Sequence, residues 1–262
     1  MTVRNAAARA LGHGLRLVPR RCRWPILVAA SGVAARVISG KGFEFGIDGY
    51  REIALWRLML AASRAGLRFD PVLEHRGPPP EPPAGGRGLL MVGAHALLNY
   101  LAVRYVHDHG VDPVLLSADP SIPLPGTPRT PRGVPVSATL LPAAVRHLRA
   151  GDVVCAMIDR PEAGKDSFRV DTAIGPLHLA EPLLKFAAAA KAEILFCSFR
   201  VIGGKVVAYW SPAPRAASLE EIKSAFAAFL RTRIEEGHGR RGPRARALRR
   251  PRTGGPRPPI PV

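Results

Sequence analysis

Three polar residues each stand immediately after a short apolar run. His95 follows GLLMVGA (residues 88–94), Asp119 follows PVLLSA (113–118), and Asp159 follows DVVCAMI (152–158). If these runs are parallel strands, the three residues share the carboxyl edge of one sheet, where open α/β folds bind ligands. A neutral imidazole at such an edge can take a proton from an attacking hydroxyl near pH 7. It needs a partner to fix its orientation. Asn99 lies four residues on, on the same helical face, and Tyr100 is next to it. The same residue types also serve as ordinary caps of strand-to-helix loops, so position alone leaves both readings open. Other chemistries lack their residues. There is no G-x-S-x-G elbow and no H-E-x-x-H pair, and the GKD at 164–166 lacks the flanking glycine and hydroxyl residue of a phosphate loop. Cys22, Cys155 and Cys197 are too few and too scattered for a disulfide framework or a Cys-based zinc site, so no metal is expected.

The elements that must position these residues can be read from periodicity. Leu11, Leu15 and Val18, then Ile53, Leu55, Trp56, Met59 and Leu60, recur at helical spacing, and residues 1–69 are predicted to be helical. GPPPEPPAGG (77–86) can continue neither a helix nor a central strand and is read as a loop. Beyond it, strands at 88–94, 113–118 and 152–158 alternate with helices at 97–108 and 140–149. That order predicts an α/β domain over 70–236 with a mostly parallel or mixed sheet flanked by helices. Residues 119–135, with six prolines and two arginines, read as a long loop. A helix is expected over 181–191, and a hairpin of 193–202 and 205–210 about Gly203-Gly204. A final helix begins at Ser218, with Glu221 completing a capping box, and runs to about residue 236. The Arg/Pro/Gly tail at 237–262 is expected to be disordered.

At 262 residues the chain can bury a core without disulfides or metals. Its charge is unusual. Lys and Arg number 38 against 20 acids, a net +18, of which eight arginines lie in the tail, leaving +10 on the first 236 residues. Such a surface can meet nucleic acid, anionic membrane or an acidic protein. Aromatics make up only 6% and do not interleave with the arginines, which argues against an RNA-binding groove. Trp24, Trp56 and Trp210 read as core or membrane-interface residues. The apolar run at 24–35 follows Arg20, Arg21 and Arg23 but falls short of the roughly 20 residues that span a bilayer. It also lacks the small-residue cleavage site of a signal sequence, and it fits an amphipathic or buried helix that can lie in a membrane interface.

Several segments then line up in order: RGLLMVGAH (87–95), LRAGD (148–152) leading to Asp159-Arg160, IGPLHLA (174–180), AEILFCSFR (192–200) and GGKV (203–206). This pattern resembles the bacterial lipid A biosynthesis lauroyl/myristoyl acyltransferases, within the lysophospholipid acyltransferase superfamily, over roughly residues 65–215. The resemblance implies an O-acyltransferase with no bound cofactor. The co-substrate would be a thioester of acyl carrier protein or coenzyme A, and the acceptor an anionic membrane lipid at the cytoplasmic face of the inner membrane. A nucleic-acid partner is not expected. Members carry His-x4-Asp/Glu after the first strand. His95 matches the base, but Tyr100 stands where the acid belongs. By the same resemblance Asp159 and Arg160 match a polar pair of the site, and Arg129 and Arg132 fall where basic residues meet an acceptor headgroup. A phenol of pKa about 10 cannot balance an imidazolium as a carboxylate does, and in another His-Asp system losing that charge costs roughly 10⁴ in turnover. Two expectations follow. Either Asn99, Asp119 or Asp159 takes the place of the acid, or the chain is a catalytically impaired member of the fold that binds lipid or assists another enzyme.

Overall fold

A computed structural model of the chain describes residues 14–39, 47–81, 86–94, 97–117, 122–127, 129–135, 137, 139–159, 166–173 and 175–238. Two helices open it. In α1 (Arg20–Ser39) the buried positions Trp24, Leu27, Ser31 and Ala35 form one face, and in α2 (Ile47–Arg64) Ala54, Leu55, Met59 and Ala62 form another. The two pack together. Gly32 of α1 lies where an added Cβ would come 2.5 Å from the Arg51 guanidinium of α2, so the glycine makes room for that side chain. Among the described residues no helix is long and apolar enough to cross a membrane.

The α/β body follows: β1 (Leu73–Arg76), β2 (Leu89–Gly93), a 3-10 turn (Leu97–Asn99) running into α3 (Tyr100–Asp108), β3 (Val114–Ser117), β4 (Arg132–Pro135), α4 (Leu140–Arg149) and β5 (Val153–Met157). Then come β6 (Ser167–Thr172), β7 (Gly175–Ala180), α5 (Pro182–Ala189), β8 (Glu193–Ile202), β9 (Lys205–Pro212) and α6 (Leu219–His238). Seven strands form a mixed sheet in the order β1-β9-β8-β2-β5-β3-β4. The five from β8 to β4 run one way. β9 is antiparallel to β8, and β1 runs parallel to β9. β6 and β7 pair antiparallel as a separate ribbon whose Val170 and Leu179 are buried.

The central strands are apolar on both faces because both are covered. In β2, Leu89 and Met91 face a core shared with α1, α2 and α3, where Leu27, Met59, Phe69 and Leu101 meet Cys155, Cys197 and Trp210. Leu90 and Val92 face the opposite core, built with Leu148, Leu184, Phe226 and Leu230 of α4, α5 and α6. The sheet is thus sandwiched between helical layers, as the alternation of apolar runs and helical patterns predicts.

Two strands depart from the expectation. Residues 132–135 belong to β4 rather than to a loop, with Arg132 opposite Val114 and Pro135 opposite Ser117. β4 is an edge strand, where a proline is tolerated because its missing N–H can face away from the ladder. At the other edge, β1 reads LEHR and has no apolar alternation. It is held through its neighbour: Trp210 Nε1 donates to His75 Nδ1 at 3.0 Å, and the Arg76 guanidinium lies 5.5 Å above the Tyr209 ring.

Two local expectations appear as geometry. Gly203 and Gly204 have φ of 58° and 84°, the positive pair that a tight hairpin turn between β8 and β9 requires. At the start of α6, Ser218 N donates to Glu221 Oε2 at 2.7 Å while Glu221 N donates to Ser218 Oγ at 3.3 Å, a reciprocal capping box. Of the tail expected to be disordered, 237–262, residues 237 and 238 complete α6, and 239–262 lie outside the described residues.

Candidate functional site at the carboxyl edge of the sheet

β2, β5 and β3 are neighbours running the same way, so their carboxyl ends open onto one edge. Ile158 N donates to Gly93 O at 3.1 Å and Ala180 N donates to Ile158 O, joining the exits of β2, β5 and β7. Glycine is required at 93 because a Cβ there would meet Asn99 Nδ2 at 2.7 Å and Cys197 O at 2.8 Å.

Asn99 is buried, at 4% exposure, in the turn that follows β2. Its Nδ2 donates to Ala94 O at 2.7 Å, and its Oδ1 accepts from Phe199 N at 3.0 Å. The side chain therefore clamps the turn against both β2 and β8. Tyr100 comes next, at the first position of α3, half-buried. Its hydroxyl lies 3.1 Å from Ser117 Oγ at the end of β3, and its ring packs 5.1 Å from that of Trp56 on α2. Asp159, two residues beyond β5, is half-buried at the same edge. His95, Asp119 and Arg160 lie outside the described residues. Asn99, Tyr100 and Asp159 are thus brought to one edge.

The two predicted headgroup arginines lie at the opposite edge. Arg132 pairs with Val114, the first residue of β3. Its Nη2 is 3.1 Å from Asp152 Oδ1 and its Nε 3.6 Å from Asp112 Oδ2, while Asp152 Oδ2 lies 2.7 Å from His147 Nδ1. Partial burial by itself pushes the Asp152 carboxyl up. Hydrogen bonds from His147 and Arg132, with coulombic attraction to both, outweigh it and hold the group below the usual carboxylate range. Arg129, three residues before β4, sits beside His107 near the last turn of α3, with Nη1 to Nε2 at 3.3 Å. α3 has nine residues and is about 13 Å long, which separates this region from Tyr100.

Ser117 and Arg104 were not singled out by sequence reasoning. Ser117 carried a usable signal, a hydroxyl one residue before the end of the strand predicted at 113–118. Arg104 carried another, a lone cation in the apolar stretch LAVRYV, and it is buried, at 5% exposure. Among the described residues no cluster of three or more His, Cys, Asp or Glu could hold a metal ion.

No protein-family model matches the chain, and no curated protein matches it. Among solved structures it is similar to the 1-acyl-sn-glycerophosphate (LPA) acyltransferase PlsC from Thermotoga maritima, at 14% sequence identity and a TM-score of 0.41, over 89% of this chain and 97% of that one.

Proposed function

We propose that the chain is an O-acyltransferase of the lauroyl/myristoyl type, moving a fatty acyl group from an acyl carrier protein or coenzyme A thioester to a hydroxyl of an anionic membrane lipid or glycolipid. The observation that carries this reading is the adjacency of β2, β5 and β3 with their carboxyl ends on one edge. It brings together the chain exits that the resembled family uses for its base and polar pair.

In the proposed reaction His95 takes the acceptor hydroxyl's proton as that oxygen attacks the thioester carbonyl. The tetrahedral intermediate collapses with cleavage of the carbon–sulfur bond, and the imidazolium gives its proton to the leaving sulfur, which restores neutral His95. Asn99 contributes by fixing the turn after β2, and Asp159 is the acid nearest in sequence to a neighbouring strand end. The outer side of α1 supports a peripheral membrane location on the cytoplasmic face. Ile26 and Val33 are exposed there, with Arg21 toward one end and Arg36 at the other, a layout that suits an apolar surface bordered by anionic headgroups.

The second reading, a lipid-binding or accessory protein without turnover, is favoured by Tyr100. Its phenol is seated on Trp56 and Ser117 where a carboxylate would be needed. One assay separates them: transfer from a labelled acyl thioester to a lipid acceptor, wild type against His95→Ala. Turnover lost in the variant upholds the enzyme. Equal rates overturn the role of His95, and lipid binding without turnover in the wild type upholds the second reading.

A further inference from the structure

We propose that a cavity on the α1/α3 side of the molecule, away from the carboxyl edge, binds a phosphoryl group as its dianion. The inference does not rest on the acyltransfer reading. The cavity holds about 170 Å³ and is walled by Arg20 of α1, Arg68 of the α2–β1 connection, Arg104, His107 and Asp108 of α3, and Arg129 of the β3–β4 connection. Four guanidinium groups from four separated segments converge on one concave space.

Their charge is only partly balanced. Asp108 is the sole acid on the wall, and both its oxygens lie 2.7 Å from Arg104 Nε. Asp70 pairs with Arg20 and lies 3.8 Å from Arg104 Nη2. Among the described residues neither Arg68 nor Arg129 is within ion-pair distance of a carboxylate, which leaves an excess of two positive charges. His107 Nδ1 is buried without a hydrogen-bond partner, 3.8 Å from Asp108 Oδ1.

One of the four, Arg104, is anchored in the floor of the cavity. Arg104, itself buried, donates from Nη1 to Pro125 O at 2.5 Å. The next residue, Gly126, donates to Ser63 Oγ at 2.9 Å and accepts from Phe69 N at 3.3 Å. Gly126 has φ of +74°, and a Cβ would stand 2.3 Å from Phe69 O, so this close approach requires glycine. Thr127 Oγ1 accepts from Arg129 N at 3.0 Å and keeps its own hydroxyl proton to donate at the cavity wall. A tetrahedral oxyanion offers acceptors to several guanidinium forks at once, which a single carboxylate does not. The volume, equal to about five or six waters, accommodates it.

The phosphoryl group can be free or carried on a lipid, and two probes distinguish the sources. Intact protein is tested by equilibrium dialysis against radiolabelled inorganic phosphate. It is also tested by co-flotation with phosphatidylcholine vesicles with and without phosphatidic acid. The double variant Arg68→Ala/Arg129→Ala is compared with a charge-matched control, Arg149→Ala/Arg215→Ala, whose side chains are exposed elsewhere, and thermal unfolding confirms that both fold. Saturable phosphate binding weakened at least tenfold in the first variant alone supports the site with a free anion. A tenfold loss confined to phosphatidic acid vesicles supports it with a lipid headgroup. Equal losses in both variants, or no wild-type binding of either probe, overturn the proposal.

Discussion

The side-chain oxygen of Asn99 accepts the backbone N–H of Phe199 at 3.0 Å, across one hundred residues of sequence. With the second bond, from Nδ2 to Ala94 O, one buried amide ties the turn leaving β2 to the middle of β8. The segment that carries the proposed base is therefore anchored at its far end by a single side chain. Asn99→Ala removes both bonds and leaves buried backbone groups unmet. We expect a loss of about 2–4 kcal/mol in unfolding free energy, measured by denaturant titration. A loss below 0.5 kcal/mol (about the surface-substitution range) would show that the clamp is dispensable.

Tyr100→Glu places a carboxylate where the resembled family has its acid. On the reading that the missing acid impairs the site, acyl transfer should rise, with a ceiling of roughly 10⁴ set by what a carboxylate partner contributes to a histidine base elsewhere. Tyr100→Phe removes the hydroxyl, and with it the contact with Ser117, without adding a carboxylate, and should not raise the rate. The readout is turnover of a labelled acyl thioester; a rate unchanged by Tyr100→Glu would mean the lost acid is not what limits the site.

Acid should weaken the fold through Asp152. Its carboxyl is depressed in the folded state, so its stabilising contribution is present above the ordinary carboxylate pKa and is lost as pH falls through the lower, folded value. Unfolding midpoints followed from pH 6 to 2 (a span chosen about the carboxylate range) should drop at the acid end, and Asp152→Asn should flatten that drop. An identical slope in the variant would remove Asp152 from the account.

Thiol titration gives a test of the core. Cys22 is exposed, whereas Cys155 and Cys197 are buried in β5 and β8. Burial pushes both of those thiols far above their usual range, and proximity to Cys197 pushes Cys155 further. A disulfide reagent should modify one thiol in the native protein and three in denaturant. Rapid reaction of a second thiol in the native state would contradict the packing.

The central architecture was legible because buried strands are apolar on both faces. The runs about Met91 and Cys155 could be read at once, and with them the edge that carries Asp159 and Tyr100. The edge strands were not legible. Leu73–Arg76 and Arg132–Pro135 owe their conformation to the neighbouring strand, and LEHR and RGVP carry no alternation of their own. The site was readable only as far as local spacing reaches. Asn99 stood out as a helical neighbour of His95, but its bond partner lies in a strand that nothing near it in sequence announces. The residues lining the basic cavity come from four segments, and only packing of the helical layer against the β3–β4 loop makes them neighbours.

The two outer strands also govern how copies of the molecule behave toward one another. A bare strand edge invites another chain to add to it, and both edges here discourage that. On β1, Glu74, His75 and Arg76 are exposed and charged or polar, and β4 carries exposed Arg132 and ends in Pro135, which has no N–H to offer. A second copy approaching either border would have to strip water from ionised groups and would find the ladder of donors interrupted. The features that hid these strands from periodicity thus protect the sheet against open-ended self-association.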